Sequence, residues 1–228
     1  MKILETIEML KQIIKLKLKY SNFILIFLAL SIAFSLLYYK EIDAIGAQNL
    51  KNEKIDLCCT WGAELKDGLL TYNIEKGDKD LEKITESAFF EWENNLNKIY
   101  FKNVKDNNNV ANIKIKFKKG NVNQVGQARI YFDQNGFIDY VKILVSKTSN
   151  GTELNQPILE HIVQHEIGHA LGLGHSPFPH SIMYPIVNET VMEISRCEID
   201  AVKDANNWKF IKNEKKPKML EQSVYICK

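Results

Sequence analysis

The sequence predicts an α+β domain of mixed strands and helices placed behind a single membrane-spanning helix. Three observations predict it: a 19-residue run without charge near the amino end, strand and helix patterns that alternate through the rest of the chain, and a helix bearing two histidines four residues apart.

The uncharged run is Ser21 to Tyr39, SNFILIFLALSIAFSLLYY. At about 1.5 Å per residue a helix of that length covers roughly 28 Å, close to the ~30 Å of a bilayer core. Lys11, Lys15, Lys17 and Lys19 precede it, and Tyr38 and Tyr39 close it. Residues 1–20 are therefore expected to stay cytoplasmic and the chain beyond Lys40 to be extracellular. The competing reading is a cleaved signal peptide with a small-x-small site at Ala44-Ile45-Gly46, which both the long apolar run and the 20 residues before it oppose.

Residues 40–56 read as a polar stalk. Leu69–Glu75 (LLTYNIE) has strand composition and stops before a turn at Gly77-Asp78. From Lys79 to about Asn97, the residues Leu81, Ile84, Ala88, Phe89, Trp92 and Leu96 recur at three- and four-residue intervals, which buries one face of a long helix. Ile113, Ile115 and Phe117 alternate with Lys114, Lys116 and Lys118 in a half-buried strand. Two more strands, Gly126–Phe132 and Phe137–Val145, are joined through Asp133-Gln134-Asn135-Gly136, where Asn-Gly favours a hairpin. A second helix opens at Pro157 and runs to Leu171.

Composition narrows the function. The 228 residues are 45% hydrophobic and 25% charged, and a formal net charge of +2 excludes a strongly basic nucleic-acid binder. Cys58, Cys59, Cys197 and Cys227 all follow the apolar run, in the compartment where disulfides persist. Two bridges are expected. Four cysteines allow three pairings, and the strained ring formed by neighbours weighs against joining Cys58 to Cys59.

The chemistry lies in the second helix. His165 and His169 share one helix face, with Glu166 beside it. Gly172 can end the helix in a left-handed conformation, so the chain turns back and brings His175 to the same point. Three neutral imidazoles with one open position make a catalytic zinc site. His161 and His180 fall outside this spacing and read as surface histidines.

The segment HEIGHALGLGHS at 165–176, followed by Ser181-Ile182-Met183-Tyr184-Pro185, resembles the metzincin metallopeptidases and, within them, the matrixins. The likeness reaches more weakly back to Trp61 and forward to Ile194–Val202, so it covers about residues 57–210 and leaves 211–228 as a basic, solvated tail tied down through Cys227. It implies a twisted five-stranded mixed sheet with an antiparallel edge strand, three helices, and a zinc cleft below that edge. It also implies an endopeptidase: His165, His169 and His175 hold the metal, Glu166 carries the proton, and Met183 forms a turn beneath the site. Gly126, Gln127 and Ala128 would pair with an extended protein or peptide substrate, and Pro185, Ile186 and Val187 would wall a primed-side pocket.

One zinc is expected, because the loop between Phe117 and Gly126 lacks the histidines of the family's structural site. Asp133 and Asp139 could serve calcium, although nothing in their spacing fixes a site. About 20 residues between the span and Trp61 leave no room for a cysteine-switch propeptide. Two other classes compete. A zinc-stabilised binding module would keep the fold, but the presence of Glu166 speaks against it, and a tethered structural protein would leave three ligands and Met183 unexplained.

Overall fold

The structure, a computed structural model, describes residues 30–35, 53–75, 79–105, 111–119, 124–187, 193–221 and 223–227. The chain divides between Leu50 and Lys51 into two units. In the first, residues 30–35 are helical with exposed side chains, and the remainder of the expected span, 21–29 and 36–39, lies outside the described residues. Among the described residues no helix is long and apolar enough to cross a membrane.

The second unit runs in order through β1 (Lys54–Asp56), β2 (Leu69–Glu75), α1 (Lys79–Leu96), β3 (Tyr100–Asn103), β4 (Ile113–Lys118), β5 (Gly126–Phe132) and β6 (Ile138–Ser146). There follow β7 (Thr148–Ser149), β8 (Thr152–Glu153), α2 (Gln156–Ala170), α3 (Arg196–Ala205), α4 (Asn207–Phe210) and β9 (Val224–Ile226). The main sheet has the order β3-β2-β4-β6-β5. β5 is antiparallel to β6 and the other pairs are parallel, which is the expected five-stranded mixed sheet with one antiparallel edge.

Period-two alternation sets its faces. Ile113, Ile115, Val141, Ile143 and Val145 point inward and are at most 1% exposed, while their lysine neighbours face out. The helices cover the inward face. On α1 the periodic residues Leu81, Ile84, Ala88, Phe89, Trp92 and Leu96 are all buried, each large apolar side chain contributing about 1.5–3 kcal/mol. Phe89 stacks on Tyr72 of β2 with ring centroids 3.9 Å apart. The Trp92 indole donates to the Gln164 carbonyl at 3.1 Å, fixing α1 against α2.

Two pairings lie beyond the sequence reading. After α1 the chain passes Asn97 at φ 61° and enters β3, the edge strand opposite β5. Its four residues are only exposed or half-buried, so they carry no apolar signal. β7 and β8 form a small hairpin around Asn150 and Gly151, both at positive φ, an Asn-Gly turn of the kind already noted at 135–136.

The stalk and tail are corrected in part. Of residues 40–56, the stretch 54–56 is a strand, and of 211–228, Val224–Ile226 is its antiparallel partner. Ile55 and Leu57 are buried at alternate positions, which draws this stretch into the domain. The four cysteines form two bridges, as expected, but the preference against joining neighbours is overturned: Cys58 is bonded to Cys59, and Cys197 to Cys227. Pairing of β9 with β1 sets Cys227 against α3 and commits Cys197, so Cys58 and Cys59 are left to each other.

Candidate active site

The Asn155 side chain accepts from the Ile158 N–H at 3.0 Å and starts α2, with Pro157 in its first turn. The helix ends where Gly172 takes φ 101°, and the Leu173 N–H returns to the Gly168 carbonyl at 3.0 Å. Asp56 clamps the following loop, donating its N–H to the His175 carbonyl at 3.0 Å and accepting from the Gly174 N–H at 2.5 Å. The turn thereby delivers His175 to the face that carries His165 and His169.

One nitrogen from each of the three rings lies within 4.8 Å of the others, the one such group among the described residues. The His165 ring centroid is 4.7 Å from that of His169 and 5.5 Å from that of His175. Nδ1 of His165 faces the Ile182 carbonyl at 2.7 Å, and Nδ1 of His169 the Leu173 carbonyl at 2.8 Å. A carbonyl only accepts, so each Nδ1 carries the hydrogen and each Nε2 keeps a lone pair. Burial, with the neighbouring rings, holds His165 neutral down to about 3; burial first and His175 second hold His169 neutral down to about 4. Such a donor set fits zinc.

Glu166 is 4% exposed, and among the described residues its Oε2 meets no hydrogen-bond partner. Burial pushes its carboxyl up to about 8, against the opposing effect of the Ala128 N–H that bonds to it. Gly126 is what lets the carboxylate sit there. A methyl group on Gly126 would overlap Oε1 and lie 2.8 Å from Cγ2 of Ile162.

Met183 is fully buried against Gly168, the α2 residue before His169. Its turn is held by Glu198 from α3, whose Oε1 accepts from the Ser181 hydroxyl at 2.6 Å and the Ile182 N–H at 3.2 Å. The other oxygen, Oε2, accepts from the Ser195 N–H at 2.7 Å and meets the Ser195 hydroxyl. Ile182 is thus held at its N–H by Glu198 while its carbonyl orients His165.

A cleft of about 830 Å³ runs past the rings, and Gly126, Gln127, Ala128, Pro185, Ile186 and Val187 all line it. His161, expected on the surface, is 2% exposed and also lines the cleft, because it sits one helical turn before His165 on the buried face of α2. The His180 side chain is largely exposed, as expected, and pairs with buried Glu53. Asp133 accepts from the Asn135 and Phe137 N–H groups at 2.8 and 2.9 Å, so its carboxylate shapes the hairpin turn. Glu198 escaped the sequence reading, although the Ser195-x-x-Glu198 spacing of a capping box was there to be read.

An antiparallel edge strand over a cleft, two imidazoles four apart on a helix, a third returned by a glycine turn and a buried carboxylate beside them define a zinc-dependent metallopeptidase. Residues 61–206 match the family model described as Matrixin, and the chain belongs to the matrixin family. It is a zinc metalloendopeptidase, a hydrolase of peptide bonds in proteins or peptides, and the family implies a catalytic zinc. No curated protein matches the chain.

Proposed function

We propose that this matrixin is a membrane-anchored, extracellular endopeptidase in which His165, His169 and His175 hold one zinc and Glu166 moves the proton. The observation that carries the reading is the buried Glu166 carboxylate, with one oxygen that meets no hydrogen-bond partner among the described residues, beside three clustered imidazoles, two of which, His165 and His169, have their Nδ1 tied to a carbonyl. When bound, zinc supplies Lewis acidity that polarises a carbonyl and acidifies a water.

Glu166 takes a proton from the attacking water and passes it to the amide nitrogen, so the bond breaks with an amine as leaving group. A carboxyl held well above its usual range by burial is suited to both halves of that transfer. The chain at Gly126–Ala128 offers the terminal strand of the sheet to an extended substrate, and Pro185–Val187 stand on the same cleft. Met183 packs against Gly168, between His165 and His169 on α2, and this contact supports reading it as the floor of the site.

Anchoring rests on Ser21–Tyr39 and the lysines before it. The chain is then a cytoplasmic segment at 1–20, a signal anchor at 21–39, a stalk within 40–56, the peptidase domain at 57–210 and a basic tail at 211–228. Glu166→Ala tests the chemistry: zinc content should stay unchanged while cleavage of an unfolded protein falls by about 10²–10⁴. Activity within a few fold of wild type would remove Glu166 from its role. Protease added to intact cells should digest the domain and spare residues 1–20; a soluble product beginning near Ala47 would mean that the span is cleaved instead.

A further inference from the structure

α2 turns six side chains to the cleft at helical spacing, Ile158, His161, Ile162, His165, Glu166 and His169. Half of them belong to the zinc site. The others line the cavity towards the start of the helix, just after Leu154, and Ile130 of β5 adds apolar wall to the same cleft. Into this apolar stretch His161 brings the one imidazole of the lining outside the histidine cluster. Its ring is 2% exposed and is therefore already stripped of most water before a substrate arrives.

We infer that His161 makes this pocket select a substrate side chain ending in a carboxamide, glutamine above all, over an aliphatic side chain of similar size. The inference rests on the peptidase reading above. An imidazole has two ring nitrogens, so one can serve the protein and the other a ligand. A carboxamide offers both a donor and an acceptor and so meets either neutral tautomer, while its methylenes lie along Ile158 and Ile162. Leucine would fill the same space but leave a ring nitrogen against hydrocarbon, which is costly for a buried polar group. Lysine or arginine would bring a cation towards a site built for one. A pocket built to hydrogen-bond a substrate group discriminates far better than one that measures size alone.

The test compares quenched peptides that differ only at the two residues flanking the scissile bond, each carrying Leu, Gln, Glu or Lys in turn. The kcat/KM of the full chain is measured for wild type, His161→Leu and His161→Gln. Wild type should favour Gln over Leu by about tenfold or more at one of the two positions. His161→Leu should reverse that preference, and His161→Gln should retain it. A comparable rate for Glu would assign the selection to the acceptor oxygen rather than to the whole carboxamide and overturn the glutamine assignment. Preference of the wild type for Leu at both positions, or a Gln-to-Leu ratio unchanged within twofold by His161→Leu, would overturn the inference. Zinc content and Tm identify a misfolded variant, and the wild-type ratio decides without it. Failure of the zinc-loaded wild type to cut any peptide would instead sink the peptidase reading.

Discussion

Gly126 and Glu166 are in such close contact that the glycine's missing side chain is the space the carboxylate occupies. Glu166 comes from the middle of α2 and Gly126 from the first position of β5, and the neighbouring Ala128 N–H bonds the same carboxylate. In the proposed mechanism the edge strand offered to substrate is therefore also the wall that aims the proton carrier. Gly126→Ala should push Glu166 out of line, lowering kcat at least tenfold with zinc content unchanged, since misplacement by about 1 Å can cost ~10²-fold. Full activity in this variant would show that the contact does not aim the carboxylate.

Glu198→Gln should reach the metal site from a distance. The substitution leaves an amide N–H₂ facing donors at Ser181, Ile182 or Ser195, in a side chain 1% exposed. We expect a loss of about 2–4 kcal/mol, a fall in Tm of roughly 5–15 °C, and zinc affinity weaker by about tenfold through Ile182 and His165. Thermal melts with and without zinc, and competition with a chromophoric chelator, would measure these. A Tm within 2 °C of wild type would refute the coupling.

Metal analysis of the purified full chain should give one zinc. His165, His169 and His175 are committed to one cluster, His161 is enclosed in the cleft wall and His180 is engaged with Glu53. Removing that zinc should lower Tm, because a metal bound only by the folded state stabilises it by mass action. A ratio near two that survives mild chelation would contradict the count.

Alkaline pH should find a weak point at Tyr72. Burial first, then the charges of Glu86 and Glu93, push its phenol up to about 12. An unfolded tyrosine titrates near 10, so between about pH 10 and 12 the unfolded chain releases its proton first and stability falls as pH rises. Below that window the contribution is fully present. In denaturant titrations Tyr72→Phe should show a shallower decline across the window, and parallel curves would assign the decline to other groups.

The elements that could be read in advance are those whose evidence is local. Ile113, Ile115 and Phe117 alternate, Leu81 through Leu96 recur at helical spacing, and His165 and His169 lie one turn apart; each pattern states which face is buried without naming its neighbour. The third histidine of the cluster was legible as well, because Gly172 marks the turn that returns His175. None of these needed the rest of the chain.

What remained hidden depends on residues far apart in sequence. β3 is held by pairing with β2 and by Phe101, whose ring packs on Phe89 and whose N–H bonds to Glu93 of α1, while β1 with β9 joins stretches separated by most of the domain. That pairing sets Cys227 against Cys197 and leaves Cys58 with Cys59, contrary to the local preference. The burial of His161, the fit of Glu166 against Gly126 and the reach of Glu198 to Ile182 follow from how α2, α3 and β5 pack together. Residue periodicity records exposure to water, whereas these contacts record which surfaces meet, and surfaces meet only when the whole core closes.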